Sequence, residues 1–113
     1  MNEANILNTI ARAGHFVDVE RPTATLDELG GRSLEWQSVA AGVAAWVQPL
    51  AAETREDYAR RGMTVTHSVY FAADPSIEVG DRIIFRGRKL VVAGVTDAGG
   101  AGRLWKAVCR ENT

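Results

Sequence analysis

Asp-Arg-Ile-Ile-Phe-Arg-Gly-Arg-Lys-Leu-Val-Val-Ala-Gly-Val-Thr-Asp, residues 81–97, reads as a β-hairpin and decides the fold class. β-Branched and apolar residues fill both arms. Between them stands Gly87, which takes the positive φ that a tight hairpin turn needs. Two turns compete. With Gly87 and Arg88 at the centre, a type II′ arrangement, Phe85 faces Leu90 and Ile83 faces Val92. With Arg86 and Gly87 there, Phe85 meets Arg88 and Ile83 meets Leu90, and part of the apolar match is lost. The first register is therefore expected. It leaves Arg82, Arg86 and Lys89 beside Ile84 and Val91 on the other face, with Arg86 opposite Lys89, a like-charge pair tolerable only in water or against an acidic partner.

Working outward, residues 64–71 alternate Val65, His67, Val69 and Phe71 against Thr64, Thr66, Ser68 and Tyr70, the pattern of a half-buried strand. Asp74-Pro75 marks a turn before the hairpin. Beyond it, residues 98–102 form a glycine-rich tip, and 103–110 a last strand around Leu104, Trp105, Val108 and Cys109. On the N-terminal side, residues 51–61 predict a helical insert with acids early and bases late, which suits the helix dipole, and Gly62 stops it. Residues 43–49 predict a strand. Residues 22–42 carry Thr, Ala, Gly, Ser and acids around Gly30-Gly31 without a convincing period, and read as a long loop that Trp36 anchors to the body. A flap without a role is the alternative. Residues 16–21 predict a first strand ended by Pro22, and 5–13 a short helix with Ile6, Leu7 and Ile10 on one face, stopped by Gly14. Five or six short strands with one helical insert predict a mainly β fold, a small antiparallel β-barrel or sandwich, in a single domain over residues 1–113.

Composition narrows the function. The chain has 113 residues, 46% hydrophobic and 24% charged, which is ordinary for a globular domain and not for a disordered one. Its net charge of −1 argues against a tight grip on nucleic-acid phosphates. One cysteine, no signal-like start and no apolar run long enough to span a bilayer predict a soluble protein made in a reducing cytoplasm, with no membrane partner.

Candidate chemistry is sparse. Cys109 lies within a predicted strand, where a thiol is an inert small hydrophobe rather than a nucleophile, and His67 sits on the apolar parity of its own strand. Asp74, Asp81 and Asp97 all fall at turns, where aspartate is a turn former before it is a metal ligand. The run 99–102 lacks the Lys-Ser or Lys-Thr of a phosphate loop. Arg82, Arg86, Arg88, Lys89 and Arg103 with Trp105 make a basic stripe, read as a solvated or subunit-facing edge, the alternative being a groove for single-stranded nucleic acid. No catalytic constellation, cofactor motif or metal site emerges, so activity is expected in surfaces.

The order of features resembles a known family, the head-tail connector proteins of long-tailed bacteriophages, called head-closure, head-completion or stopper proteins. The resemblance rests on residues 27–31 followed by Trp36, on Val43-Ala44-Ala45-Trp46-Val47-Gln48-Pro49-Leu50 with Glu53 beyond, on the strand 66–71, on Asp81-Arg82-Ile83 to Gly87-Arg88, on residues 92–97, and on a final strand ending at Glu111. It covers most of residues 16–111. The chain departs from the pattern in its N-terminal helix-like segment and at Phe71, near which the family often has an Arg. The resemblance implies a β-barrel subunit of a homo-oligomeric, dodecameric ring at the head-tail junction of a virion or a phage-derived particle such as a gene transfer agent. Such a ring lies below the portal and its adaptor ring, closes the DNA channel after packaging and docks the tail. It implies partners in the portal-adaptor ring and in the tail terminator or tail tube protein, with transient contact to double-stranded DNA and no cofactor. Under it, Asp27, Glu28, Leu29, Gly30 and Gly31 gate the channel, and Glu53, Arg60, Arg82, Arg86 and Arg88 serve inter-subunit contacts. A tail-terminator or tail-completion subunit, or a nucleic-acid-binding small barrel, are the alternatives.

Overall fold

Alternation of apolar and polar residues closes six strands on one another. A computed structural model of the chain describes residues 3–98 and 100–112. The elements are α1 (Glu3–Ala13), β1 (His15–Leu26), β2 (Arg32–Pro49), α2 (Ala52–Arg60), β3 (His67–Phe71), β4 (Arg82–Phe85), β5 (Arg88–Asp97) and β6 (Trp105–Glu111). Every neighbouring pair is antiparallel, and the order β1-β2-β3-β6-β5-β4 returns on itself through the β1–β4 pairing, forming a closed barrel. The expected mainly β fold holds, as a barrel rather than a sandwich.

The interior is filled by one parity of each strand, with Val19, Val69, Phe71, Ile83, Leu90 and Val92 all buried. Each such side chain contributes about 1.5–3 kcal/mol, so the barrel is a packed core and not a pore. At Gly94, where β5 shifts register against β6, a Cβ would come within 3.1 Å of a Val108 methyl carbon, so the bulge sits at the residue without a side chain. α1 lies outside the barrel. Ile6 and Ile10, one turn apart, are buried with Leu104 against Trp46 and Tyr70. Gly14 permits the turn into β1, because a Cβ there would meet the Ile10 carbonyl oxygen at 2.5 Å.

Three expectations need correction. The hairpin turns at Arg86 and Gly87, with φ of 51° and 78°, so Phe85 pairs with Arg88 and Ile83 with Leu90. The apolar-match test could not separate the registers, because they differ by two residues and a two-residue slip leaves every side chain on its own face. The observed register removes the Arg86–Lys89 opposition and places Arg88 at the barrel mouth.

Residues 22–42 are not a loop. They extend β1 and β2 into a two-stranded arm, paired from Arg21↔Gln37 out to Leu26↔Arg32, with residues 27–31 as its turn. Pro22 does not end β1. Pairing with β4 stops at Glu20, so β1 is an edge strand beyond it, where proline is tolerated. The arm stretches the molecule to a radius of gyration of 15.1 Å, against about 13 Å for a compact chain of this length. Gly99 of the expected glycine-rich tip lies outside the described residues. The expected helical insert corresponds to α2.

Candidate functional site

Among the described residues no three His, Cys, Asp or Glu side chains cluster to hold a metal ion, and Asp74, Asp81 and Asp97 each serve a local structure. Asp74 accepts the Ser76 N–H at 2.9 Å, and Asp97 accepts that of Gly102 at 2.7 Å. Asp81 is buried and accepts from Arg21 Nε and Nη2, both at 3.0 Å, and from the Glu78 N–H at 2.9 Å. These bonds to the carboxylate raise the Arg21 guanidinium above its ordinary value.

Cys109 and His67 stand directly opposite each other on β6 and β3. Burial pushes the thiol up to about 12, and desolvation, helped by the Arg88 charge, lowers the imidazole. Both groups are thereby held neutral, the reverse of a thiolate–imidazolium pair. Arg88 Nη2 lies 3.4 Å from His67 Nε2, and His67 Nδ1 lies 2.8 Å from Thr66 Oγ1. Arg88 also donates twice to Glu111, at 2.7 and 2.6 Å, and this hydrogen bonding draws the Glu111 carboxyl down. Two ionic clusters, Arg21–Asp81 and Arg88–Glu111, thus stand at opposite ends of β4, where it enters and leaves the barrel wall.

What remains is the arm. Opposed residues share a face in an antiparallel ladder, so Pro22, Ala24 and Leu26 lie with Trp36, Leu34 and Arg32, and Thr23 and Thr25 with Glu35 and Ser33. The arm is an amphipathic ribbon, and its apolar face is the bare one. Leu26 is 74% exposed and Leu34 69%, while Thr23 and Thr25 are half-buried, with Thr25 Oγ1 2.9 Å from Ser33 Oγ. Val19 points into the barrel, so the parity of Glu20, Pro22, Ala24 and Leu26 continues the outer surface. Phe16, 74% exposed, lies on that same outward stripe of β1. Leaving such side chains in water forgoes about 1.5–3 kcal/mol each.

The base of the arm is braced twice. Arg21 is tied to Asp81 and, at 3.0 Å, to the Ser76 carbonyl, while Arg82 donates to Glu20 at 2.6 Å and stacks 4.0 Å over the Trp36 ring. Trp36 is therefore an anchor, as expected, though it anchors a ribbon. The five-residue turn is self-supporting. Asp27 Oδ1 accepts the N–H groups of Leu29 at 2.9 Å and Gly31 at 2.7 Å, Gly30 takes a φ of 79°, and Leu29 at the apex is 96% exposed.

The structure thus brings Asp27, Glu28, Leu29, Gly30 and Gly31 together at one extremity. It does not assemble the five residues assigned to subunit contacts. Arg82 and Arg88 are engaged within the chain by Glu20 and Glu111, Arg60 pairs with Asp57 on α2, Arg86 lies 5.0 Å over the Phe85 ring, and Glu53 is exposed in the first turn of α2. The signal for the arm stood in the sequence as the alternation Pro22, Ala24, Leu26 and Leu34, Trp36. It was masked by Pro22 and Ala24, which have low strand propensity, and by the glycines of the turn.

Comparison with curated proteins gives no match. Among solved structures, the chain is similar to the solution structure of protein SF1141 from Shigella flexneri 2a, with a TM-score of 0.71 and 19% identity over 90% of this chain and 97% of that one. It is also similar to a chain of the virion of a native gene transfer agent particle, with a TM-score of 0.56 and 18% identity over 88% of this chain and 96% of that one. At these identities the likeness is one of fold. The sequence matches the phage head completion protein family over residues 9–112, nearly its whole length. The chain belongs to that family, the head completion proteins of phage.

Proposed function

We propose that the chain forms a ring at the head-tail junction, below the portal and its adaptor ring, where the arm tips close the DNA channel after packaging and the opposite rim docks the tail. The observation that carries this reading is the arm. It leaves the barrel, it is braced at its base by Arg21–Asp81 and Arg82–Glu20, and it ends in a turn ordered by Asp27 without help from the rest of the molecule. An element held stiffly away from its own core reaches something else.

The tip chemistry suits a gate. Asp27 and Glu28 stand there against the single base Arg32, so the tip carries a net negative charge and does not grip a duplex that must later slide past. A nucleic-acid-binding barrel is less well supported, since Arg82 and Arg88 of the basic stripe are spent on Glu20 and Glu111. Deleting residues 26–33 shortens the arm without touching its base. Particles carrying the deletion are expected to assemble and fill but to lose packaged DNA, measured as nuclease-accessible DNA after head purification. Full retention of DNA in such particles would overturn the gate.

A further inference from the structure

One mouth of the barrel is closed by polar side chains. Val69, Cys109 and Leu90 belong to the buried core, so His67, Glu111 and Arg88, each two residues away on its own strand, stand on the inward parities of β3, β6 and β5. In the closed order β6 lies between β3 and β5. Glu111, its last residue, therefore has His67 on one neighbouring strand and Arg88 on the other.

The hydrogen bonds show where the protons are. Arg88 can only donate, so the His67 Nε2 that lies 3.4 Å from its Nη2 carries no hydrogen. At the other ring nitrogen, Thr66 directs its hydroxyl at the Cys109 carbonyl, 3.4 Å away, and accepts the Glu111 N–H at 2.8 Å. Thr66 Oγ1 therefore accepts from His67 Nδ1 as well, and Nδ1 is the protonated nitrogen. The neutral tautomer is set from both sides. A second proton can enter only at Nε2, and there it meets the guanidinium.

The charged and titrating groups acting on the ring come from three elements: Arg88 on β5, Arg55 on α2, and Glu111 and Cys109 on β6. Both arginines oppose a charged imidazole, and Cys109 stays a neutral thiol. Among the described residues that leaves Glu111 to compensate it. Glu111 Oε1 accepts at 2.6 Å from the same Arg88 Nη2 that lies against His67 Nε2, so carboxylate and imidazole are neighbours across one guanidinium nitrogen.

We infer that protonation of His67 at Nε2 transfers Glu111 from Arg88 to His67, so that pH selects which neighbour the end of β6 is clamped to, β5 when the imidazole is neutral and β3 when it is charged. The exchange takes one proton from solvent. It breaks the two hydrogen bonds from Arg88 to Glu111 and makes one from Nε2–H to the carboxylate. Arg88, already half exposed, turns to solvent beside Arg86 at the hairpin turn. Glu111, drawn below its ordinary 4.5, keeps its charge when the imidazole takes the proton. None of this depends on the proposed ring, and its failure would leave that reading as it stands.

The test is a pH titration of the isotope-labelled full chain by nuclear magnetic resonance, following the His67 ring nitrogens, the Arg88 Nε–H and the Glu111 carboxyl carbon. As pH falls through the His67 midpoint, the Arg88 Nε–H signal is expected to be lost to solvent exchange while the Glu111 carbon keeps its ionised position. An Arg88 signal that persists through the midpoint, or a Glu111 carboxyl that takes a proton with or before His67, overturns the exchange. Arg88→Gln supplies a second reading. With no other partner for Glu111, the His67 midpoint is expected to rise above its ordinary 6.5, whereas burial alone would keep it below. A midpoint that stays below would show that the carboxylate does not reach the ring, and would end the proposal.

Discussion

Arg86 occupies the left-handed region with φ of 51°, where a Cβ costs roughly 1 kcal/mol. Asn followed by Gly is the preferred pair for a two-residue turn with both φ positive. Arg86→Asn is therefore expected to stabilise the protein by about 0.5 kcal/mol, the gain in turn energy being partly offset by the lost packing of the guanidinium on Phe85. A urea midpoint that does not rise would mean the turn is centred elsewhere.

His67 supplies the residue-scale pH dependence. Its folded value lies below its ordinary 6.5, so the unfolded chain takes up a proton that the folded one refuses. Its contribution to stability is complete above about 6.5 and is lost as pH falls below that towards the folded value. Glu111, whose folded value lies below its ordinary 4.5, acts in the same direction in a lower window. His67→Gln should therefore flatten the loss of stability between pH 7.5 and 5.5 while leaving the steeper acid limb, as read from urea midpoints at each pH. An unaltered upper limb would remove His67 from this role.

At the scale of elements, the arm and the barrel are separable. No residue between 22 and 37 is buried, and the core contacts come from the other parts of β1 and β2. Arg21 and Gln37 are register partners, so residues 22–36 are replaceable by Asn-Gly as a two-residue turn. Such a trimmed chain is expected to keep the native near-UV spectrum and to lose no more than about 1 kcal/mol, chiefly the Arg82–Trp36 stacking. Unfolding of the trimmed chain would show that the arm belongs to the folding unit.

The same element shows how far a sequence pattern carries. The strand expected at residues 64–71 was legible because Val65, His67, Val69 and Phe71 alternate with Thr64, Thr66, Ser68 and Tyr70, although β3 begins only at His67 and buries Ser68 as well, so it is not the half-buried strand expected. The arm alternates too, yet with Pro22 and Ala24 on its apolar side and Gly30-Gly31 at its turn, which is why its composition read as a loop. An isolated ribbon also inverts the usual rule, since its apolar face is bare until another surface covers it.

At the scale of the whole molecule, closure pairs every strand of the barrel on both sides over part of its length, and the longest stretch paired on one side only is the arm. In the proposed ring, contacts that are small singly gain from being linked on a template. The purified chain is accordingly expected to scatter as a monomer of 12.2 kDa in dilute solution. A stable ring at micromolar concentration would contradict assembly on a template.

Local chemistry was sufficient for much of this molecule. Gly87 between two β-branched runs, the alternation from Val65 to Phe71, the spacing of Ile6 and Ile10 and the absence of a reactive cluster are properties of neighbouring residues, and they point to a small β-barrel with little titratable machinery. Pairings between distant residues were another matter. The hairpin register brings Arg88 to Glu111, Arg21 is tied to Asp81 sixty positions away, and the arm leaves the wall beyond Glu20 only because six strands close in one particular order with β4 beside β1. A chain pattern is blind to these because a two-residue slip preserves it, and because ion pairs and opposed faces exist only once the ring of strands has closed.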